Sequence, residues 1–294
     1  MSIMTIFQLL INGILRGGVY GLLAIGLTIT YGVARVLNFA HGEFVVLGMY
    51  SAYFMYMLYN IHPFVSTIFI IPIFFIFGLL MYGIMFKHLT KKSGFVQIFT
   101  TAGVSMVLQN LCQFFFSTDP RYIPMTAIRS VIRIGQLNIN MSDLLGFIIA
   151  VFLMVILFTF LQYSFKGKGI RAVIDQQRGA LLVGLNVDLM YRIAIALAFA
   201  CIGAAGAVLA TSYNTAPAVG GTWKSIAFIA VVLGGHSSLP GSLIAGLVIG
   251  LIESFVGYFG AVQLKEVAYF LLFFFVLVVK PQGLFGRKTI RIGR

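Results

Sequence analysis

Apolar runs about as long as a bilayer crossing alternate with short polar stretches from residue 6 to residue 285. A helix crosses the hydrocarbon layer with about 20 mostly apolar residues. Runs near 6–30, 37–59, 63–86, 95–116, 142–162, 191–212, 241–260 and 267–285 have that length. Together they predict an all-α, polytopic transmembrane helix bundle. The run at 224–235 is too short to cross alone as a straight helix. It ends in Gly234 and Gly235, ahead of His236, Ser237, Ser238, Leu239, Pro240 and Gly241. Backbone freed at such a break must be buried in protein rather than face lipid, so this piece reads as a broken or re-entrant segment. The expectation is about eight or nine spans in a single transmembrane domain over residues 1–294. The longest polar stretches, about 25 residues, fall short of the ~50 of a small soluble domain.

Composition agrees. Apolar residues make up 60% of the chain and charged residues 9%, against about 25% charged in soluble domains. No water-facing shell can be built from so few. The net charge of +13 sits at segment ends: Lys87, Lys91 and Lys92; Lys166, Lys168, Arg171 and Arg178; Arg287, Lys288, Arg291 and Arg294. That is a positive-inside pattern, not the basic stripe of a nucleic-acid binder. It places 87–92, 166–192, 287–294 and Arg35 in the cytoplasm, and the amino terminus and 117–141 outside. Arg121, Arg129 and Arg133 in that outer loop run against the rule. The first run extends to Tyr31 without a basic start, unlike a cleavable signal peptide. Cys112 and Cys201 lie in apolar runs with neither disulfide nor metal spacing. His41 has no second ligand at metal spacing, and no set of catalytic groups converges in the pattern.

Small residues recur every fourth position at Gly13, Gly17 and Gly21, and again at Ser242, Gly246, Gly250 and Ser254. Such faces let helices approach closely, either as fixed packing or as surfaces that slide. Polar groups inside the runs are costly and mark candidate sites. Arg16 shares a stripe with Asn12 and Tyr20, and either snorkels to the outer headgroups or serves a site. On a helix His41 lies about 60° and Gly42 about 40° from Asn38, which predicts a polar, indented face, with Glu43 pointing elsewhere. Glu253 lies near the Gly246 and Gly250 face, with Arg16 as its one candidate intramembrane cation.

Between two spans, residues 169–183 predict an amphipathic helix. Ile170, Val173, Ile174 and Leu181 share one face, and Arg171, Asp175 and Arg178 the other. Gly184 stops it, and Asn186 or Asp188 caps the next span near Tyr191. Two readings stand: a helix resting on lipid, or a docking element with Ala172 and Ala180 allowing close approach. No phosphate-binding Gly-x-x-x-x-Gly-Lys-Ser/Thr loop occurs in the sequence, so an ATP-driven process requires nucleotide bound by another subunit.

Four landmarks together resemble one family: Leu37-Asn-Phe-Ala-His-Gly-Glu43; Arg171-Ala172 with Ala180 and Gly184-Leu185-Asn186; Leu233-Gly-Gly-His-Ser-Ser-Leu-Pro-Gly241; and Lys280-Pro-Gln-Gly-Leu-Phe-Gly-Arg287. The chain resembles the LivH-type permeases of branched-chain amino acid ABC importers from about residue 8 to residue 288. The resemblance implies a multi-pass permease of a bacterial or archaeal inner membrane, not an enzyme. Its implied partners are a LivM-like second permease, two cytoplasmic ATPases that hold ATP and Mg, and an extracytoplasmic binding protein. It implies that 169–185 is the ATPase-coupling helix, carrying Arg171, Ala172, Asp175, Arg178, Ala180 and Gly184. It further implies a translocation path near Asn38, His41, Gly42, Glu43, Gly234 and Gly235; Glu253 joins the path candidates as a buried carboxylate. The late motif departs from the family's usual Gly-Gly-x-Gly-Ser-x-Pro-Gly, because Ser237 stands where a glycine is usual, which puts the local turn in question. The acidic pair common in the coupling loop is reduced to Asp175 and Gln176. Relatives of this type also carry urea, short amides or other amino acids. A proton-coupled carrier using Glu43, Glu253 and His41 is the alternative from the residues alone.

Overall fold

The computed structural model describes residues 2–124, 130–260, 264–280 and 282–285. Twelve α-helices account for most of them: α1 (Ile3–Ala34), α2 (His41–Tyr59), α3 (Pro63–Met81), α4 (Lys87–Leu89), α5 (Gly94–Phe116), α6 (Met141–Tyr163), α7 (Phe165–Asp175), α8 (Gln177–Leu182), α9 (Val187–Ser212), α10 (Gly220–Gly234), α11 (Leu239–Phe259) and α12 (Leu264–Val279). A π-helical turn, Tyr82–Phe86, joins α3 to α4, and a 3-10 turn, Pro217–Val219, leads into α10. Among the described residues, seven helical stretches are long and apolar enough to cross a membrane. The chain is a multi-pass membrane protein. The 19-residue α2 and 16-residue α12 stand outside those seven.

Two helices form the centre. α1 is buried on every side from Gly17 to Thr30, and α9 from Ala198 to Thr211, as expected of helices apolar all round. α11, α6 and α10 pack on α1, while α3 and α2 pack on α9. The α1–α11 contact is backbone on backbone. A methyl group on Gly246 would strike the backbone of Gly21, and one on Gly250 the carbonyl of Gly13. On the other flank, Phe44 meets Phe199 edge-on at 4.7 Å, with Phe77 5.8 Å and 5.7 Å from the two rings. Gly246→Val is expected to destabilise the protein by about 3 kcal/mol or more, the upper end of overpacking costs, because backbone must yield, read as a lower unfolding midpoint in detergent.

Local chemistry sets the ends. Ser2 caps α1, its hydroxyl accepting from the Thr5 N–H, and Arg35 closes the helix at φ 51°. Asn186 caps α9, accepting from the Leu189 N–H at 3.0 Å, so that span begins at Val187 rather than near Tyr191. Asp188 instead accepts from the Tyr82 hydroxyl at 2.9 Å. Gly184 sits at φ 79° after α8. In the late motif the positive φ, 95°, falls on Gly235, which the chain keeps. Ser238 then caps α11 through the Gly241 N–H. The tail folds back onto this turn, where the Leu284 N–H donates to the Leu233 carbonyl at 2.7 Å. Pro281, Gly286 and Arg287 of the tail motif lie outside the described residues, as do residues 288–294 and Arg129.

Three features differ from the sequence expectation. A hairpin of β1 (Val131–Ile134) and β2 (Leu137–Asn140) stands in the loop before α6. Gly135, at φ 62°, is first in its two-residue turn, where a type II′ turn wants glycine. Gln8 binds its edge like a peptide, donating to the Asn138 carbonyl at 2.6 Å and accepting from the Asn138 N–H at 2.8 Å. The loop helix is also not one piece: Gln176, extended at φ −154°, breaks it into α7 and α8. The break turns Leu181 away from Ile170 and Val173, which are buried, and leaves Leu181, Leu182 and Val183 exposed. Lastly, α10 begins four residues ahead of the apolar run, because Gly220, Gly221 and Thr222 are helical without being hydrophobic.

Candidate functional site

Asn38 does not share a helical face with His41 and Gly42. Its side chain accepts from the Ala40 N–H at 3.1 Å, and this turn holds 38–40 out of the helix. α2 therefore starts at His41. The His41 imidazole Nε2 lies 3.2 Å from the Leu23 carbonyl, so it is the protonated nitrogen. Leu23 stands about 11 residues, or ~16 Å, short of the end of α1. α2 thus begins deep within the bundle, and a buried lead-in brings the chain there from Arg35.

α10 also begins inside. Gly42 lies so close to Gly220 that a methyl on Gly42 would collide with the Gly220 carbonyl oxygen, and one on Gly220 would crowd the Glu43 carboxylate. From this junction α2 runs outward beside α9, with Gly48 against Gly203 and Gly206. α10 runs the other way, and beyond its end His236 packs 5.1 Å from Tyr31 near the end of α1. Burial pushes the His236 imidazole below its ordinary pKa. Two helix N-termini, each a positive dipole end, thus face each other within the bundle.

The polar bookkeeping singles out this junction. Among the described residues, the buried side-chain atoms without a hydrogen-bond partner are Asn38 Nδ2, His41 Nδ1, Glu43 Oε2, Tyr50 Oη, Thr215 Oγ1 and Trp223 Nε1. All six belong to α2, α10 or their lead-ins. Each unpaired buried group costs about 1–3 kcal/mol, so their concentration on two broken helices is a site signature. Lys224, one turn into α10 and beside Gly42, joins them. Sequence reasoning missed it, although a lone lysine opening an apolar run was the available signal.

The other candidates lie elsewhere. Gly234 and Gly235 form the α10–α11 turn, Gly234 packing on the backbone of Gly241, some 14 residues or ~21 Å along α10 from Gly220. Glu253 belongs to an ionic cluster nearer the start of α1. Its Oε2 accepts from the Tyr20 hydroxyl at 2.5 Å, and its Oε1 lies 3.4 Å from Lys265 and 3.8 Å from Arg16. Arg16 Nε is 3.4 Å from Asp143, which also accepts from Ser212 at 2.8 Å. Arg16 therefore faces protein rather than snorkelling. Asp143, Lys265 and Tyr213, bonded to Tyr20 at 2.8 Å, complete a clamp that joins α1, α6, α11 and α12. In the loop, Arg171 is tied to Gln162 at the end of α6 at 3.2 and 3.3 Å, Asp175 and Arg178 are exposed, Ala180 is buried and Ala172 half-buried. Cys112 and Cys201 are buried and free. No group of three metal-ligating side chains occurs among the described residues.

Comparison with known proteins adds the family. The family described as branched-chain amino acid transport system / permease component matches residues 9–279. The chain is 27% identical to the high-affinity branched-chain amino acid transport permease LivH of Salmonella typhimurium and 28% identical to BraD of Pseudomonas aeruginosa, each over 96% of both chains. It is 25% identical to a probable LivH of Methanocaldococcus jannaschii, over 95% of this chain and 92% of that one. No solved structure matches significantly.

Proposed function

The chain belongs to the branched-chain amino acid transport permease family, and on that premise we propose that it is the membrane-spanning subunit of an ATP-driven importer carrying leucine, isoleucine and valine. Its similarity to LivH and BraD permeases along nearly its whole length supports the cargo class. The observation that carries the mechanism is the meeting of two broken helices by their N-termini, with unpaired polar atoms around the contact. Broken helices at mid-depth are how transporters bring backbone dipoles to a solute.

In this reading a second permease completes the path, and a binding protein delivers cargo from outside the inner membrane. Two ATPases hold ATP and Mg. The chain does no covalent chemistry; it alternates between outward and inward access. Driving such an equilibrium from 1:99 to 99:1 needs about 5.5 kcal/mol of differential binding, which closure of the ATPase dimer supplies through the 164–186 loop. α7 is anchored to α6 by Arg171, while α8 leaves Leu181, Leu182 and Val183 exposed for the contact.

Leu182→Asp tests the coupling. It places a charge at an 89% exposed position, so folding is spared, while leucine uptake and binding-protein-stimulated ATP hydrolysis both fall at least about tenfold. Unchanged coupled uptake removes the docking role and leaves α8 a lipid-resting segment. Reconstitution with the two ATPases, the second permease and the binding protein tests the function itself. ATP-dependent accumulation of labelled leucine is expected. Accumulation of urea instead, or gradient-driven uptake by this chain alone, overturns the reading.

A further inference from the structure

Two opposite charges flank the junction, and they do not pair with each other. Glu43 is 4% exposed, its Oε2 has no partner, and its carboxylate lies over Gly220, the first residue of α10. Lys224 is half-buried, its Cβ close beside Gly42. It is in no ion pair or hydrogen bond among the described residues. Unpaired charges at this depth are costly unless a function keeps them. Gly221, in the first turn of α10, is exposed and has open space where a side chain would be. One turn beyond Lys224, Phe228 packs on Phe39 at 5.1 Å, an apolar wall on the same side of α10.

Resting on the transport reading above, we propose that Glu43 and Lys224 recognise the zwitterion of an α-amino acid in transit. The cargo's carboxylate is held by the Lys224 ammonium, over the open surface at Gly221 near the start of α10, where the helix dipole favours an anion. Its ammonium is held by Glu43 Oε2, and its side chain lies against Phe39 and Phe228. The site reads the two charged groups every α-amino acid shares, and leaves the choice of side chain to contacts that are only apolar. A neutral solute such as urea leaves both charges unpaired, and the loss of a hydrogen-bonded charge partner is the stronger form of discrimination.

The experiment uses the full transporter in proteoliposomes with its binding protein, measuring leucine taken up per ATP hydrolysed. Glu43→Gln and Lys224→Met are each expected to lower that ratio about tenfold, the effect of losing one charged hydrogen bond, while hydrolysis stimulated by the binding protein persists. Lys224→Arg, which keeps the charge, retains most of the coupling. Wild-type ratios in both neutral variants overturn the proposal. So does a parallel loss of uptake and hydrolysis in all three variants, which is what a structural role gives. Failure of the unaltered transporter to take up leucine sinks the transport reading instead.

Discussion

Gly42→Ala is expected to insert into the membrane and yet take up leucine at less than about a tenth of the normal rate. The added methyl meets the Gly220 carbonyl oxygen and the Lys224 Cβ, so one of the two helix starts must move. Neither has slack: α2 is tied to the middle of α1 by His41, and α10 is held against α11 by the contact of Gly234 with Gly241. Overpacking costs about 1–3 kcal/mol where side chains yield, and more where backbone must. The cost falls on the two segments that carry the unpaired polar atoms. Gly103→Ala is the control, because a methyl there meets nothing within 4 Å and gains up to about 1 kcal/mol of helix propensity. Uptake assays of the two variants, with membrane insertion checked in parallel, decide the matter. Equal uptake would show that the junction is not tight during transport.

The bundle was legible because lipid imposes one rule on every span, and length and hydropathy report that rule directly. Local stops were legible for a similar reason: Gly184 and Asn186 act on neighbours two to four residues away. What sequence reading missed depends on distant partners or on backbone. A polar Asx turn at Asn38 looks like the start of a helix until the Ala40 N–H is seen to be taken. The first turn of α10 is glycine and threonine, so hydropathy places its start too late. Gln176 gives no signal that it breaks a helix, and the structure offers no side-chain cap to explain it. The sequence offers Arg16 as the one intramembrane cation for Glu253, and the two do lie 3.8 Å apart, but their other partners are not legible there. Their meaning came from Asp143, Tyr213 and Lys265, none of which is adjacent to them in sequence.

That cluster yields the second large expectation. Glu253→Ala removes one of two carboxylates facing two cations, and leaves Arg16, Lys265 and the Tyr20 hydroxyl around a void. Breaking a buried pair from one side typically costs about 3–5 kcal/mol, because the remaining charge stays desolvated. With Arg16 and Lys265 partly exposed, at 28% and 20%, the lower end of that range is expected, seen as a depressed unfolding midpoint in detergent. Glu253→Gln keeps the Tyr20 partner and loses less. Adding Lys265→Met to Glu253→Gln restores charge balance around Asp143, so the double variant should recover part of the loss, with a coupling of about 1–3 kcal/mol. A clamp and a moving gate part company here. If the cluster holds α1, α6, α11 and α12 together throughout the cycle, the double variant regains stability and uptake together. If the ions must separate for cargo to pass, neutralising the pair speeds uptake per complex while stability stays low. Either outcome assigns Glu253 through its partners, which a proton-carrying carboxylate acting alone would not allow.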